Sequence, residues 1–188
     1  MYTLFLDTHY KEILIYIYKD NKLLISKHLK DIKNTSIETM PCLIEALKQA
    51  NITINDINKI AVCIGPGSFT SIRIGVTIAK TLSYSLHIPI VTLTSLDLIS
   101  LNQTEPTYVA TKENNGVFIA FYDAKEVKQI KYLKQAEYNK FMLKNSVKED
   151  NNDDIDANKL INYINSLTPM NPHNVNPLYV KQIEALKW

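Results

Sequence analysis

The stretch GPGSFTSIRIG at residues 65–75 constrains this chain more than any other. It follows an apolar run, KIAVCIG at residues 59–65, that reads as a buried strand, and it leads into helical spacing over residues 70–86. Gly65 and Gly67 permit backbone angles that other residues avoid, and they remove side chains that would hold another group at a distance. Ser68, Thr70 and Ser71 are residue types that cap helix starts, and the free N–H groups of a helix N-terminus attract anions. By physics alone the segment is either a phosphate cradle or a tight turn feeding a capped helix. It is not a Walker A loop, because no Gly-Lys-Ser/Thr follows.

The flanking sequence supplies the sheet. Residues 2–7, 13–18 and 23–28 read as strands, the last two joined in a hairpin through Lys19-Asp20-Asn21-Lys22. Thr35 followed by Glu38 is a capping-box pattern and predicts a helix to Ala50, with Pro41 leaving its first turn open. After residues 70–86, Pro89 opens a strand at 90–93, and Thr94 or Ser95 caps a helix at 96–101. The order is β-β-β-α-β-α-β-α. Farther on, residues 108–111 and 117–122 read as strands joined through Asn114-Asn115-Gly116, and residues 127–133 as a third. Residues 148–154 read as a solvated loop and 157–167 as a helix with Leu160, Ile161, Ile164 and Leu167 on one face. Residues 168–177 contain three prolines and are expected to be extended. A boundary near residues 101–106 gives two lobes, 1–103 and 104–188.

Composition narrows the function. A net charge of +2 neither demands nor excludes a nucleic-acid partner. Arg73, inside the glycine run, is the sole arginine, and a guanidinium is not interchangeable with an ammonium at planar sites. Cys42 and Cys63 lie in apolar stretches, and their spacing builds neither a disulfide framework nor a metal motif. His9, His28, His87 and His173 stand apart and read as surface or turn residues. Asp7 interrupts the apolar N-terminus, which is not a signal peptide, and no apolar run approaches the ~20 residues of a membrane span. The expectation is a soluble, cytoplasmic protein.

GPGSFTSIRIG closely resembles the GPGSFTGLRIG signature of the TsaB (YeaZ) family. Leu4 to Thr8 is similar to that family's first strand ending in Asp-Thr-Ser, with His9 in place of the serine. Thr35 to Pro41 resembles its His-Ser-Glu…Pro element, keeping Ser36 and Pro41, and residues 177–181 resemble its C-terminal Pro-x-Tyr-Leu-Arg. The likeness is strong over residues 1–100 and weak between about 125 and 170. Ser71, Thr35, Ile37 and Lys181 depart from the family pattern.

The resemblance implies an α/β fold with actin-like ATPase (ASKHA, ribonuclease-H-like) lobes, mixed central sheets and flanking helices. It implies a non-catalytic subunit in synthesis of threonylcarbamoyladenosine at position 37 of tRNA. Its partners would be the catalytic subunit TsaD, as a heterodimer, and the ATPase TsaE. A homodimer is the alternative pairing, and tRNA would be met through the complex. No cofactor is required, although ATP or ADP could be carried within the complex, where Asp7, Thr8, Gly65, Gly67, Ser68 and Thr70 are the candidate nucleotide contacts. The related TsaD element Asn-His-x-Glu-x-His corresponds to residues 94–99, where Ser95 and Ile99 replace the metal-binding histidines, so neither a metal site nor a catalytic residue is expected. A rival reading is a small ATPase or phosphotransferase working through Asp7 and the loop at 65–70.

Docking has its own signal. Ile72, Val76, Ala79, Leu82 and Leu86 form one apolar face of the helix at 70–86, while Ile74, Ile78, Thr81 and Ser85 lie nearly opposite. The helix at 37–50 also carries a broad apolar arc. Met40, Leu43, Leu47, Arg73, Ile74, Ile78 and Thr81 are the expected interface, the mode of pairing that the resemblance implies. A basic series, Lys125, Lys128, Lys131, Lys134, Lys140 and Lys144, is either a solvated face or an aid to tRNA binding.

Overall fold

The computed structural model describes residues 1–113, 115–124, 126–149 and 155–180. Its first sheet is built from β1 (Tyr2–Asp7), β2 (Ile13–Lys19), β3 (Lys22–Leu29), β4 (Ile57–Cys63) and β5 (Ile90–Leu93), in the order β3-β2-β1-β4-β5. The first three strands pair antiparallel. Asp20 and Asn21 both have positive φ, 48° and 67°, as a two-residue hairpin turn requires. β4 lies parallel to β1 and β5 parallel to β4, an arrangement that needs crossovers. These are α1 (Thr35–Gln49), which leads to β4, and α2 (Phe69–Leu86), which leads to β5.

The second sheet repeats the first four positions. β6 (Thr107–Glu113), β7 (Gly116–Tyr122) and β8 (Val127–Lys134) form an antiparallel meander. α4 (Gln135–Met142) then leads to β9 (Val147–Glu149), parallel to β6. Two mixed sheets with helical crossovers are the actin-like α/β architecture expected.

Strand alternation divides the first sheet between two cores. Leu4, Leu6, Ile15, Ile17, Ile60 and Val62 face α1 and α2. Phe5, Tyr16, Tyr18, Ala61, Cys63 and Val91 face the opposite layer, formed by Leu98 of α3 (Ser95–Ser100) with Leu160, Ile161 and Ile164 of α5 (Ala157–Ser166). Because both faces are covered, these strands are nearly continuous apolar runs.

α5 therefore belongs to the first sheet. The Tyr18 hydroxyl donates to the Ala157 carbonyl at 3.1 Å, and Lys59 Nζ donates to the Ile164 carbonyl at 2.9 Å. Farther along, the Met170 N–H donates to Ile90 O at 2.9 Å and the Leu178 N–H to Ile64 O at 2.8 Å. A division at residues 103/104 separates the two sheets but assigns α5 and the segment after it to the wrong one. The second sheet is held by residues 107–149.

The start of α1 differs from expectation. Asn34, not Thr35, is the N-cap of α1, and Pro41 lies within the helix. Pro41 cannot donate to the Ile37 carbonyl, and it falls on the outer side of α1, where it is exposed and Ile37 is 63% accessible. α3 follows the sequence: Thr94 accepts from Asp97 N–H, and the Asp97 carboxylate accepts from Thr94 N–H. No helix among the described residues is long and apolar enough to cross a membrane. Asn114, Lys125, Lys181 and most of the loop expected at 148–154 lie outside the described residues.

Candidate functional site

The parallel pairing of β1 with β4 sets Leu6 opposite Val62. It thereby brings the two strand ends, Asp7 and Cys63, to one edge of the sheet on the face shared with Phe5 and Ala61. His9 folds back over this edge. Its N–H donates to Asp7 Oδ1 at 2.8 Å, and its ring Nδ1 lies 2.9 and 2.8 Å from the two carboxylate oxygens. Asp7, His9 and Cys63 are each 1% exposed, and a ligand atom of each lies within 4.8 Å of the others. From β6, Thr111 Oγ1 approaches His9 Nε2 at 3.5 Å, so the cluster sits where the two lobes meet.

Burial would raise the Asp7 carboxyl, but the charge and hydrogen bonds of His9, aided by the Cys63 thiol, hold it below the usual carboxylate value. The thiol is pushed up to about 12 by burial and by the Asp7 charge, with His9 and the Gly65 amide acting the other way. Of the two expectations for His9, surface or turn, the turn holds and the surface does not: it is a buried partner in the β1–β2 connection. The parallel pairing of β1 with β4 brings their ends, Asp7 and Cys63, together, whereas His9 lies beyond the end of β1 and has no such signal.

The glycine run closes over this cluster. Ser68 N–H donates to the His9 carbonyl at 2.7 Å, and a Cβ on Gly67 would lie 2.1 Å from that same oxygen. A Cβ on Gly75 would lie 2.4 Å from Thr8 Oγ1, which donates to the Ser71 carbonyl at 2.7 Å. Gly65 adopts φ 93°, and its carbonyl accepts from Ser95 N–H at 2.9 Å. The Ser95 hydroxyl donates to the Pro66 carbonyl at 2.7 Å, while Ile99 packs toward the second sheet. The close approach that the glycines permit is to the protein's own β1–β2 turn.

The candidate nucleotide contacts therefore part company. Asp7 and Thr8 are sealed, each 1% exposed, and Gly65 and Gly67 are committed to packing. Ser68 and Thr70 instead line a cavity of mixed polar and apolar character, about 530 Å³, between the starts of α1 and α2, with Lys11, Asp31, Lys33, Asn34 and Ser36. Ser68 occupies the N-cap of α2 without a side-chain cap bond. Its hydroxyl donates to Ser71 Oγ at 3.1 Å, and Ser71 Oγ meets Thr35 Oγ1 at 3.0 Å. Two departures from the family pattern, Thr35 and Ser71, are thus partners of each other.

The expected interface also divides. Leu43 and Leu47 are core residues, 1% and 8% exposed, because with Cys42 and Ala46 they face the sheet. Met40 is 41% exposed and stands with Ile37 and Ile44 on the outer side of α1. Ile74 and Ile78 are half-buried and Thr81 is exposed. An apolar groove of about 320 Å³ is lined by Met40, Ile44, Ile52, Ile54 and Leu82, and Leu43 and Leu47 form part of its wall. Arg73 stacks 3.7 Å from the Phe69 ring centroid, and its Nε donates to the Tyr179 hydroxyl at 2.7 Å. In the basic series, Lys128 is paired with Asp123 at 2.7 Å and Glu126 at 3.2 Å.

Comparison with known proteins places this geometry. A sequence model of the TsaD family, tRNA N6-adenosine threonylcarbamoyltransferase, matches residues 30–147, more than half of the chain. The chain belongs to this family, as a TsaB (YeaZ) member. The tRNA threonylcarbamoyladenosine biosynthesis protein TsaB of Bacillus subtilis (strain 168) is 46% identical over 70 residues, covering 37% of this chain and 31% of that protein. TsaB of Buchnera aphidicola subsp. Acyrthosiphon pisum (strain APS) is 32% identical over 118 residues, covering 63% and 51%. The matched stretches thus span a third to a half of these relatives. YeaZ from Pseudomonas aeruginosa has the same fold, with a TM-score of 0.77 over 95% of this chain and 100% of that one, at 15% identity.

Proposed function

We propose that this family member serves tRNA threonylcarbamoyladenosine synthesis as a non-catalytic scaffold that docks the catalytic TsaD subunit through the outer faces of α1 and α2. The observation that carries this is the uncovered apolar stripe: Ile37, Met40 and Ile44 are 63%, 41% and 47% exposed, beside half-buried Ile74 and Ile78. Large apolar side chains grouped on neighbouring helices favour burial against a partner. TsaE and tRNA would join through that assembly, with a homodimer on the same faces competing with the heterodimer.

The rival, ATP turnover by the chain alone, draws no support from Asp7, whose carboxylate is closed in with His9. Nucleotide held by the complex would meet this chain at the cavity lined by Ser68 and Thr70 beside Lys11 and Lys33. Co-purification with TsaD tests the docking. Ile37→Glu plus Ile44→Glu, both at exposed positions, and separately Ile74→Glu plus Ile78→Glu, should abolish capture while far-UV circular dichroism stays native. Capture that survives both pairs would refute the interface. ATP turnover lost in Asp7→Ala would favour the rival.

A further inference from the structure

We propose that Asp7, His9 and Cys63 form a buried binding site for one zinc-class divalent ion, tying the β1–β2 turn to the end of β4. The donors are a carboxylate oxygen, an imidazole nitrogen and a sulfur, all within 4.8 Å of one another. Zinc accepts this mixed set, whereas magnesium and calcium call for oxygen ligands. Bond lengths of about 2.0–2.3 Å place tetrahedral zinc ligands roughly 3.3–3.6 Å apart. His9 Nδ1 and the Asp7 oxygens, now 2.8 and 2.9 Å apart, need to open by only about half an ångström. Three side chains leave one coordination position, as zinc sites with three protein ligands do.

Charge permits the exchange in a buried place. A carboxylate, a protonated imidazole and a neutral thiol sum to zero. So do a divalent ion, a carboxylate, a neutral imidazole and a thiolate. The ion would enter as protons leave His9 Nδ1 and Cys63 Sγ, with no net charge added to the interior. The remaining His9 nitrogen faces Thr111 Oγ1 at 3.5 Å, which orients the ring as a second partner does for metal-bound histidines. His9 stands where the resembled family pattern has a serine, so the site would be a property of this chain and is independent of the docking proposed above.

The full-length chain, freed of metal by a chelator, is titrated with cobalt and then zinc. One cobalt per chain should bring a near-ultraviolet thiolate charge-transfer band with visible d–d bands, displaced by zinc and unaffected by magnesium. The band should vanish in Cys63→Ser and persist in Cys42→Ser. His9→Ser should weaken affinity at least about 100-fold, since even the outer partners of metal ligands are worth 10–100-fold. Absence of the band in the wild type, or its survival in Cys63→Ser, overturns the site. Should Cys63→Ser not fold, X-ray absorption at the zinc edge of the loaded wild type decides. One sulfur neighbour supports the site, and a shell of oxygen and nitrogen alone overturns it.

Discussion

Gly67→Ala isolates what the glycine run does. The new methyl carbon would fall 2.1 Å from the His9 carbonyl oxygen, 3.0 Å from its carbon and 3.2 Å from the ring Cδ2. The first contact is with backbone, not with the far end of a flexible side chain, and it is more than about 1 Å closer than ordinary non-bonded contact. The turn at His9 or the loop at 67 must retreat, and either movement stretches the 2.7 Å bond from Ser68 N–H to that oxygen. Leaving this buried pair unmade costs about 1–3 kcal/mol. The loss of unfolded-chain freedom on replacing glycine by alanine returns about 0.4–1 kcal/mol. The difference centres on about 1.3 kcal/mol of net destabilisation, with an upper end of about 2.6 kcal/mol, and with further loss if Asp7 and His9 are pulled apart. Urea unfolding followed by tryptophan-independent circular dichroism measures it as a lower midpoint at unchanged slope. A Gly67→Ala chain as stable as the wild type, or more so, would refute the view that this glycine exists to admit the β1–β2 turn.

Acid should act through Asp7. Its folded value is depressed below the ordinary 3.8, so its contribution is complete above the ordinary carboxylate range and is lost as pH falls through the lower folded value. Asp7→Asn should lose about 3–5 kcal/mol near neutrality, the cost of breaking a buried pair, and the difference from wild type should shrink on acidification. A difference independent of pH would remove the ionised carboxylate from the account. The two thiols, 1% and 3% exposed and with burial raising both, should resist maleimide at neutral pH until denaturant is added. Rapid labelling of the folded chain would contradict their burial.

The first sheet was readable because its signals are local. Apolar runs bounded by turn residues locate β1 to β5, and Thr94 with Asp97 announces α3. The second lobe shows less. α4 buries only Tyr138 among its residues, too little to impose a helical period, and β9 is three residues long, below the length at which alternation can be seen. The site was legible in its parts and not in its assembly. Asp7, Gly65 and Gly67 were singled out from the motif, but His9 and Cys63 join them only through the β1–β4 pairing. The bond between Thr35 and Ser71 likewise spans two helix starts, and no spacing along the chain encodes it. Leu43 and Leu47 reach both the core and the groove beside Met40, because α1 is apolar around a wide arc, and only packing shows which edge of that arc the sheet covers.

The return of α5 to the first sheet bears on how the chain is made. Phe5, Tyr16, Tyr18 and Val91 have no full cover until Leu160, Ile161 and Ile164 arrive. On a ribosome adding about 5–20 residues per second, the 56 residues between α3 and α5 amount to roughly 3–11 s. For that interval the nascent first lobe carries an open aromatic face, the kind of surface that chaperones hold. A ribosome stalled within the second sheet would therefore present a lobe with all its strands made and one side still unsealed.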